Sequence, residues 1–463
     1  MATDVIAPAW LRVPNDANAL DARVWPASAH RDDAGELVVG GVAATDLAAR
    51  YGTPLYVLDE ADVRARAAAA LEAFGSEARA AGSDAHVYYA GKAFLSAEVA
   101  RWVVEAGLRI DVASGGELAV ALAAGVPAAA IGFHGNNKSD AEIARAVSAG
   151  VGSIVLDGRA EVDRVADAAE RAGVVQAVRL RVNSGVHAHT HEFLATAHDD
   201  QKFGVPLADA PGVVAAIRGR DSLRLLGLHC HIGSQIFDAG GFAESAERLL
   251  AVHAELLAGG DVPELNLGGG FGIAYTSADD PTPVDELARG IVAAVAERCA
   301  ALGIPVPVLA FEPGRSIVGP PGISLYEVGT IKDVPVSGGI RRYVAVDGGM
   351  SDNARPALYG ADYTVRLASR ASDAAPVLVR LAGKHCESGD ILVDADYLPG
   401  DVRPGDLVAV AATGAYCWAL SSNYNLLARP AVVAVTDGEA RVIVRGETEA
   451  DLLARDAGIM EGR

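Results

Sequence analysis

Only five of the 39 basic residues are lysines, namely Lys92, Lys138, Lys202, Lys332 and Lys384, so candidates for amine chemistry are few. Lys92 stands in VYYAGKAF, directly after an apolar run. A lysine at the end of a buried strand becomes a nucleophile for an aldehyde where burial or a nearby charge lowers its pKa. Taken alone, it reads as an ordinary solvated lysine. In NLGGGFG (266–272) the run Gly268, Gly269, Gly270 leaves backbone N–H groups open to an anion such as phosphate, or makes a plain flexible turn. FEPGRS (311–316) brings Glu312 and Arg315 together across Pro313 and Gly314. They read as a structural ion pair or, beside an aromatic cofactor, as a carboxylate keeping a ring nitrogen protonated and a guanidinium binding an oxyanion.

Two further motifs carry chemistry of the same kind. HCHIGSQI (229–236) sets His229 and His231 at alternate positions of one strand, so both point to one face. Spacing offers no third metal ligand nearby, so no metal site is expected. The readings are two core histidines, or His231 stacking on a cofactor ring with Ser234 donating to its phosphate. HCESGDIL (385–392) joins Cys386 to Glu387, and a thiol of tuned pKa is a proton donor, although most isolated cysteines are small core residues.

Something must hold these groups together, and the pattern of the chain says what. From about residue 60, short β-rich runs alternate with Ala-rich helical stretches, and eight such units are present, with strands expected at 86–90, 109–113, 130–134, 153–157, 177–183, 225–232, 264–268 and 308–312. Lys92, Asp111, His134, Asp157, Asn183, His231, Gly268 and Glu312 all fall at or just beyond strand C-termini. In a closed (β/α)8 barrel those positions converge on one mouth, which favours this α/β fold over an open doubly wound sheet. After about residue 320 strands follow one another without long helices, as in a separate all-β domain, and strands within 35–59 are expected to pair with it. The division expected is therefore 1–59 as an N-terminal segment, 60–320 as the barrel and 321–463 as the β-domain.

Composition narrows the function further. With 39 Lys+Arg against 60 Asp+Glu the net charge is −21, which disfavours nucleic acid as a partner. No apolar run nears the ~20 residues of a membrane span and no signal-peptide pattern opens the chain, so a cytoplasmic enzyme is expected. Four scattered cysteines without a CxxC pair argue for free thiols.

YAGKAF, HCHIGSQ, LGGGFG, EPGR, CESGD and GAYCWALSSNYN occur in the order and spacing of the fold-type III pyridoxal-phosphate decarboxylases, from about residue 35 to 450. FHGNNKS (133–139), AHTHEF (188–193) and DQKFG (200–204) resemble the diaminopimelate branch more than the ornithine or arginine branches. The resemblance implies an alanine-racemase-like barrel with a β-domain, the cofactor pyridoxal 5′-phosphate, and a homodimer whose active sites are completed by the partner's β-domain. It further implies that Lys92 is the Schiff-base lysine and that Asp111, His231, Ser234, Gly268, Gly269, Gly270, Glu312, Pro313, Gly314, Arg315 and Tyr416 surround the cofactor. Arg315, Arg355, Tyr359, Glu387 and Tyr416 would bind the substrate, and Cys386 would donate the proton, with Lys92 and His231 completing the catalytic set. The activity implied is decarboxylation of meso-2,6-diaminopimelate to L-lysine and carbon dioxide. The alternatives are a decarboxylase of the same fold acting on ornithine, arginine or carboxynorspermidine, or a non-catalytic cofactor-binding homologue. VNSG departs from a common family form in which proline replaces Ser184, a loop position that supplies no reacting group.

Overall fold

The structure, a computed structural model, describes residues 6–186 and 202–459. The chain divides into two compact units, one of Arg64–Gly272 with Pro281–Ile317, the other of Met1–Val63, Ile273–Asp280 and Val318–Arg463.

The first unit is a parallel barrel. Its strands are Ala85–Ala90, Arg109–Val112, Ile131–Phe133, Ser153–Leu156, Gln176–Asn183, Leu223–His229, Glu264–Asn266 and Val308–Phe311. The eighth strand closes on the first in register Leu309↔Ala85 and Phe311↔Val87. Both faces of these strands are covered, which is why they read in sequence as short, mostly apolar, β-rich runs rather than as a strict apolar–polar alternation. A buried polar network ties several strands together. Arg179 on the fifth strand donates to Glu264 on the seventh, to Tyr88 on the first (2.7 Å) and to Ser153 on the fourth. Burial raises the Glu264 pKa, but His86 and Arg179 win and hold it at about 2.

The helices begin and end where their caps dictate. Ser139 and Glu142 form a reciprocal capping box on Asp140–Ala149, and Gly150 in the left-handed region stops that helix. Ser96 caps Ala97–Glu105 by its side chain alone, accepting from Val99 N. Strand-end residues are thereby returned to one end of the barrel, turn after turn.

The second unit is built on a long sheet. Its path runs from Ile391–Pro399 through Pro376–Ala382, Gly339–Val346, Gly322–Val336, Leu55–Asp59 and Val432–Thr436 to Glu439–Val444. The N-terminal strand Leu55–Asp59 sits inside it, antiparallel to 322–325 and parallel to 432–435. The earlier strands His30–Arg31, Leu37–Val39 and Val42–Ala43 form a small sheet of their own instead. Among the described residues no helix is long and apolar enough to cross a membrane.

Candidate active site

The barrel mouth gathers the groups that the sequence placed at strand ends. Glu312 follows the eighth strand and is 9% exposed. Its Oε1 accepts from Asn266 Nδ2 at 2.7 Å, and His229 Nε2 lies 3.1 Å from the same oxygen. His134 Nε2, from the loop after the third strand, approaches Glu312 Oε1 to 3.6 Å and Asp111 Oδ1 to 3.1 Å. Burial alone would protonate both carboxyls. The two histidines beside Glu312 nevertheless hold it well below the usual carboxylate range, while burial and the Glu312 charge push Asp111 well above. Burial also lowers the pKa of both rings, His134 to about 4, while the Glu312 carboxylate opposes that shift. The cluster therefore favours the ionised form at Glu312 and the protonated form at Asp111.

His231 continues past the sixth strand, where its Nδ1 accepts from the Gly269 N–H at 3.2 Å. Burial first, then the Lys92 ammonium, keep its ring neutral. Lys92 itself lies exposed on a short 3-10 turn, Gly91–Ala93. Arg315, 9% exposed, donates to Ser234 Oγ at 2.9 Å, so a guanidinium and a hydroxyl stand side by side. Glu312 and Arg315 thus have different neighbours, the first His229 and Asn266, the second Ser234. The glycines have a tighter role than openness to an anion. A Cβ on Gly269 would lie 2.1 Å from the Glu312 carbonyl oxygen, and one on Gly270, at φ +115°, would lie 2.4 Å from the Gly233 oxygen. Only glycine lets the loops after the sixth, seventh and eighth strands meet.

In the second unit, Arg355 is buried, its guanidinium over the Tyr275 ring at 4.7 Å and its Nη1 donating to Tyr363 OH at 2.5 Å. Among the described residues no carboxylate pairs with it. Tyr359, at the end of the same short helix, is 45% exposed. Cys386 is exposed, and the Glu387 carboxylate accepts from Gly389 N at 3.2 Å. Tyr416 adopts a left-handed backbone, φ 63°.

Residues 60–319 match the family model for the pyridoxal-binding domain of pyridoxal-dependent decarboxylases. The diaminopimelate decarboxylase of Mycobacterium tuberculosis (strain H37Rv) is 53% identical over 95% of this chain and 99% of its own length. The chain belongs to the diaminopimelate decarboxylase family. The Bacillus subtilis member is 45% identical over 92% of this chain and 97% of its own. Among solved structures, the M. jannaschii diaminopimelate decarboxylase superposes with a TM-score of 0.86 at 31% identity, covering 93% of this chain and 98% of that one. A lysine/ornithine decarboxylase of Vibrio vulnificus, at 22% identity and a TM-score of 0.69, shares the fold.

The family's cofactor is pyridoxal phosphate, and the barrel mouth fits it. Among the described residues Asp111 Oδ2 is buried without a hydrogen-bond partner and Oδ1 has only the His134 ring nitrogen near it, which leaves polar capacity for an added group. Glu312 is an ionised acceptor of the kind a ring N–H needs, and Arg315 with Ser234 offers the cation and hydroxyl that a phosphate needs.

Sequence reasoning left His134, His229 and Asn266 without roles, although each lay inside a motif already singled out. It also held that no third ligand stood near His229. The barrel corrects this by bringing His134 and Glu312 round from other strands, with ligand-type atoms all within 4.8 Å of one another. AHTHEF and the first two residues of DQKFG lie outside the described residues.

Proposed function

We propose that this chain decarboxylates meso-2,6-diaminopimelate to L-lysine, with residues 60–320 binding pyridoxal phosphate and residues 1–59 and 321–463 forming the β-domain. The observation that carries this reading is the 53% identity, along nearly the whole of both chains, with an enzyme named for that reaction. In the reaction the bond from carbon to one carboxylate breaks, carbon dioxide leaves, and a proton takes its place on the carbon. Bound pyridoxal phosphate supplies the sink for the electron pair left behind.

The protein's own groups do the rest. Lys92 would hold the cofactor covalently. Asp111 and His231 would help hold it, His231 as a ring whose depressed pKa keeps it from adding charge. Arg315 and Ser234, with the backbone of Gly268, Gly269, Gly270, Pro313 and Gly314, hold the phosphate. Glu312, kept ionised by its buried histidine neighbours, holds a proton on the ring nitrogen. Cys386 delivers the proton to the carbon. Arg315, Arg355, Tyr359, Glu387 and Tyr416 would bind the substrate, and Tyr416 would also help hold the cofactor. The absence of a carboxylate beside Arg355 among the described residues supports its use for the distal carboxylate of the substrate, since a buried guanidinium gains most from a paired anion.

We read the working form as a homodimer in which Cys386 and Glu387 serve the partner's barrel. Its location is read as the cytoplasm, where free thiols such as the four here stay reduced. Incubation with cofactor and meso-diaminopimelate, followed by chiral analysis, should give L-lysine, and borohydride reduction should label Lys92. Equal turnover of ornithine or arginine would overturn the substrate, and label on another lysine would overturn the anchor.

A further inference from the structure

Among the described residues the Cys386 thiol makes no hydrogen bond, so its direction is set by the backbone that carries it. That backbone is held from an unexpected quarter. Asn425 Oδ1 accepts from the Cys386 N–H at 3.1 Å and lies 3.2 Å from His385 Nδ1. Because the amide oxygen can only accept, His385 Nδ1 carries the hydrogen and Nε2 is left as an acceptor. Ser351 matches this, its N–H at 3.3 Å and its hydroxyl at 2.9 Å from Nε2. Below, the Asp390 carboxylate accepts from His385 N at 2.8 Å and from Met350 N at 2.6 Å. Above, the Tyr424 ring stacks on His385 at 5.2 Å and 21°. Asn425 sits at φ 52°, ψ 24°, a left-handed conformation that asparagine, aspartate and glycine tolerate better than other residues.

We propose that Asn425 is a positioning residue for Cys386, its side-chain oxygen clamping the Cys386 amide and the His385 ring together so that the thiol is presented in one direction. The proposal rests on Cys386 as the proton source. The geometry explains why the SSNYN segment carries a left-handed asparagine directly after a tyrosine: the tyrosine covers the ring that the asparagine clamps.

Two substitutions separate the acceptor from the backbone. Asn425→Asp keeps both the acceptor and the left-handed conformation, whereas Asn425→Gly keeps the conformation and removes the acceptor. Both are made in the full-length protein loaded with cofactor. Cys230, Cys299 and Cys417 are buried and Cys386 is exposed, so alkylation by iodoacetamide at one fixed pH reports Cys386. Asn425→Asp, which keeps the acceptor while adding a charge beside the thiol, should keep kcat much closer to that of the unsubstituted protein than Asn425→Gly does. Asn425→Gly should alkylate at a severalfold different rate and lose on the order of tenfold to a hundredfold in kcat with KM little changed, the scale of a misplaced reacting group.

An unchanged alkylation rate in Asn425→Gly overturns the proposal, as does an Asn425→Asp protein as impaired as Asn425→Gly. Failure of the underlying reading shows itself elsewhere. Full turnover by Cys386→Ser would dismiss the thiol as proton source, while the alkylation rates of the Asn425 variants would still report whether Asn425 orients it.

Discussion

Replacing Glu312 by glutamine keeps the shape of the side chain and removes its charge. The contact with Asn266 can persist, so bound cofactor, followed by its visible absorbance, should change little. Turnover should fall by roughly a hundredfold or more, the usual loss when a preorganised charge is taken from a dry site. If activity and cofactor content fall together instead, Glu312 is a binding group and no more. Outside the site, His253 offers a pH test. Its ring is buried and its pKa is depressed to about 4 by burial alone. Above about pH 6.5 it is neutral folded or unfolded and contributes no pH dependence. As pH falls from there toward 4, the unfolded chain takes a proton that the folded chain refuses, so stability drops, by about 2 kcal/mol at pH 5. Urea unfolding at pH 7 and pH 5 should show that difference shrink in His253→Leu.

Between elements, Lys138 fastens the loop after the third strand to the helix after the fourth. Its Nζ donates to Gly135 O at 2.6 Å and to Glu161 Oε2 at 3.0 Å, and that same carboxylate oxygen accepts from Asp157 N at 2.8 Å. Lys138→Met leaves Glu161 buried without its cation and should cost about 3 kcal/mol, whereas Lys138→Met with Glu161→Gln should cost less than the single change. Thermal unfolding of the three proteins decides it, and an additive double variant would remove the pair from the account. The strands flanking this loop were legible because burial on both faces writes them as plain apolar runs. Ile391–Pro399 was not, since Asp394 and Asp396 interrupt the pattern. Asp396 is tolerated inside because Val365 N, Arg366 and the neighbouring Tyr397 N donate to it, and the first two lie far away in sequence. The same reason hid the partners of Glu312. Glu312, Arg315 and the glycine loop stood out as local motifs, but which histidines face Glu312 is decided by barrel closure, which no short window of sequence contains.

At the scale of the whole molecule, the resemblance and the proposed dimer make a quantitative demand. Lys92 and Cys386 lie in different compact units of the chain, the first in the barrel and the second in the β unit. If each barrel uses the partner's Cys386, a dimer pairing one Lys92→Ala chain with one Cys386→Ala chain has one site spoiled twice and one site intact. Random exchange of equal amounts makes about half the dimers mixed, so about a quarter of full activity should return from two inactive proteins. The measurement is L-lysine formation after the two proteins are mixed, mildly dissociated and reassociated. Sites wholly contained in one chain would return nothing, because every barrel would lack either its lysine or its thiol. Activity at the level of a quarter, rising from zero only after exchange, would assign the thiol to the partner, and dilution should then abolish it at concentrations where the dimer separates.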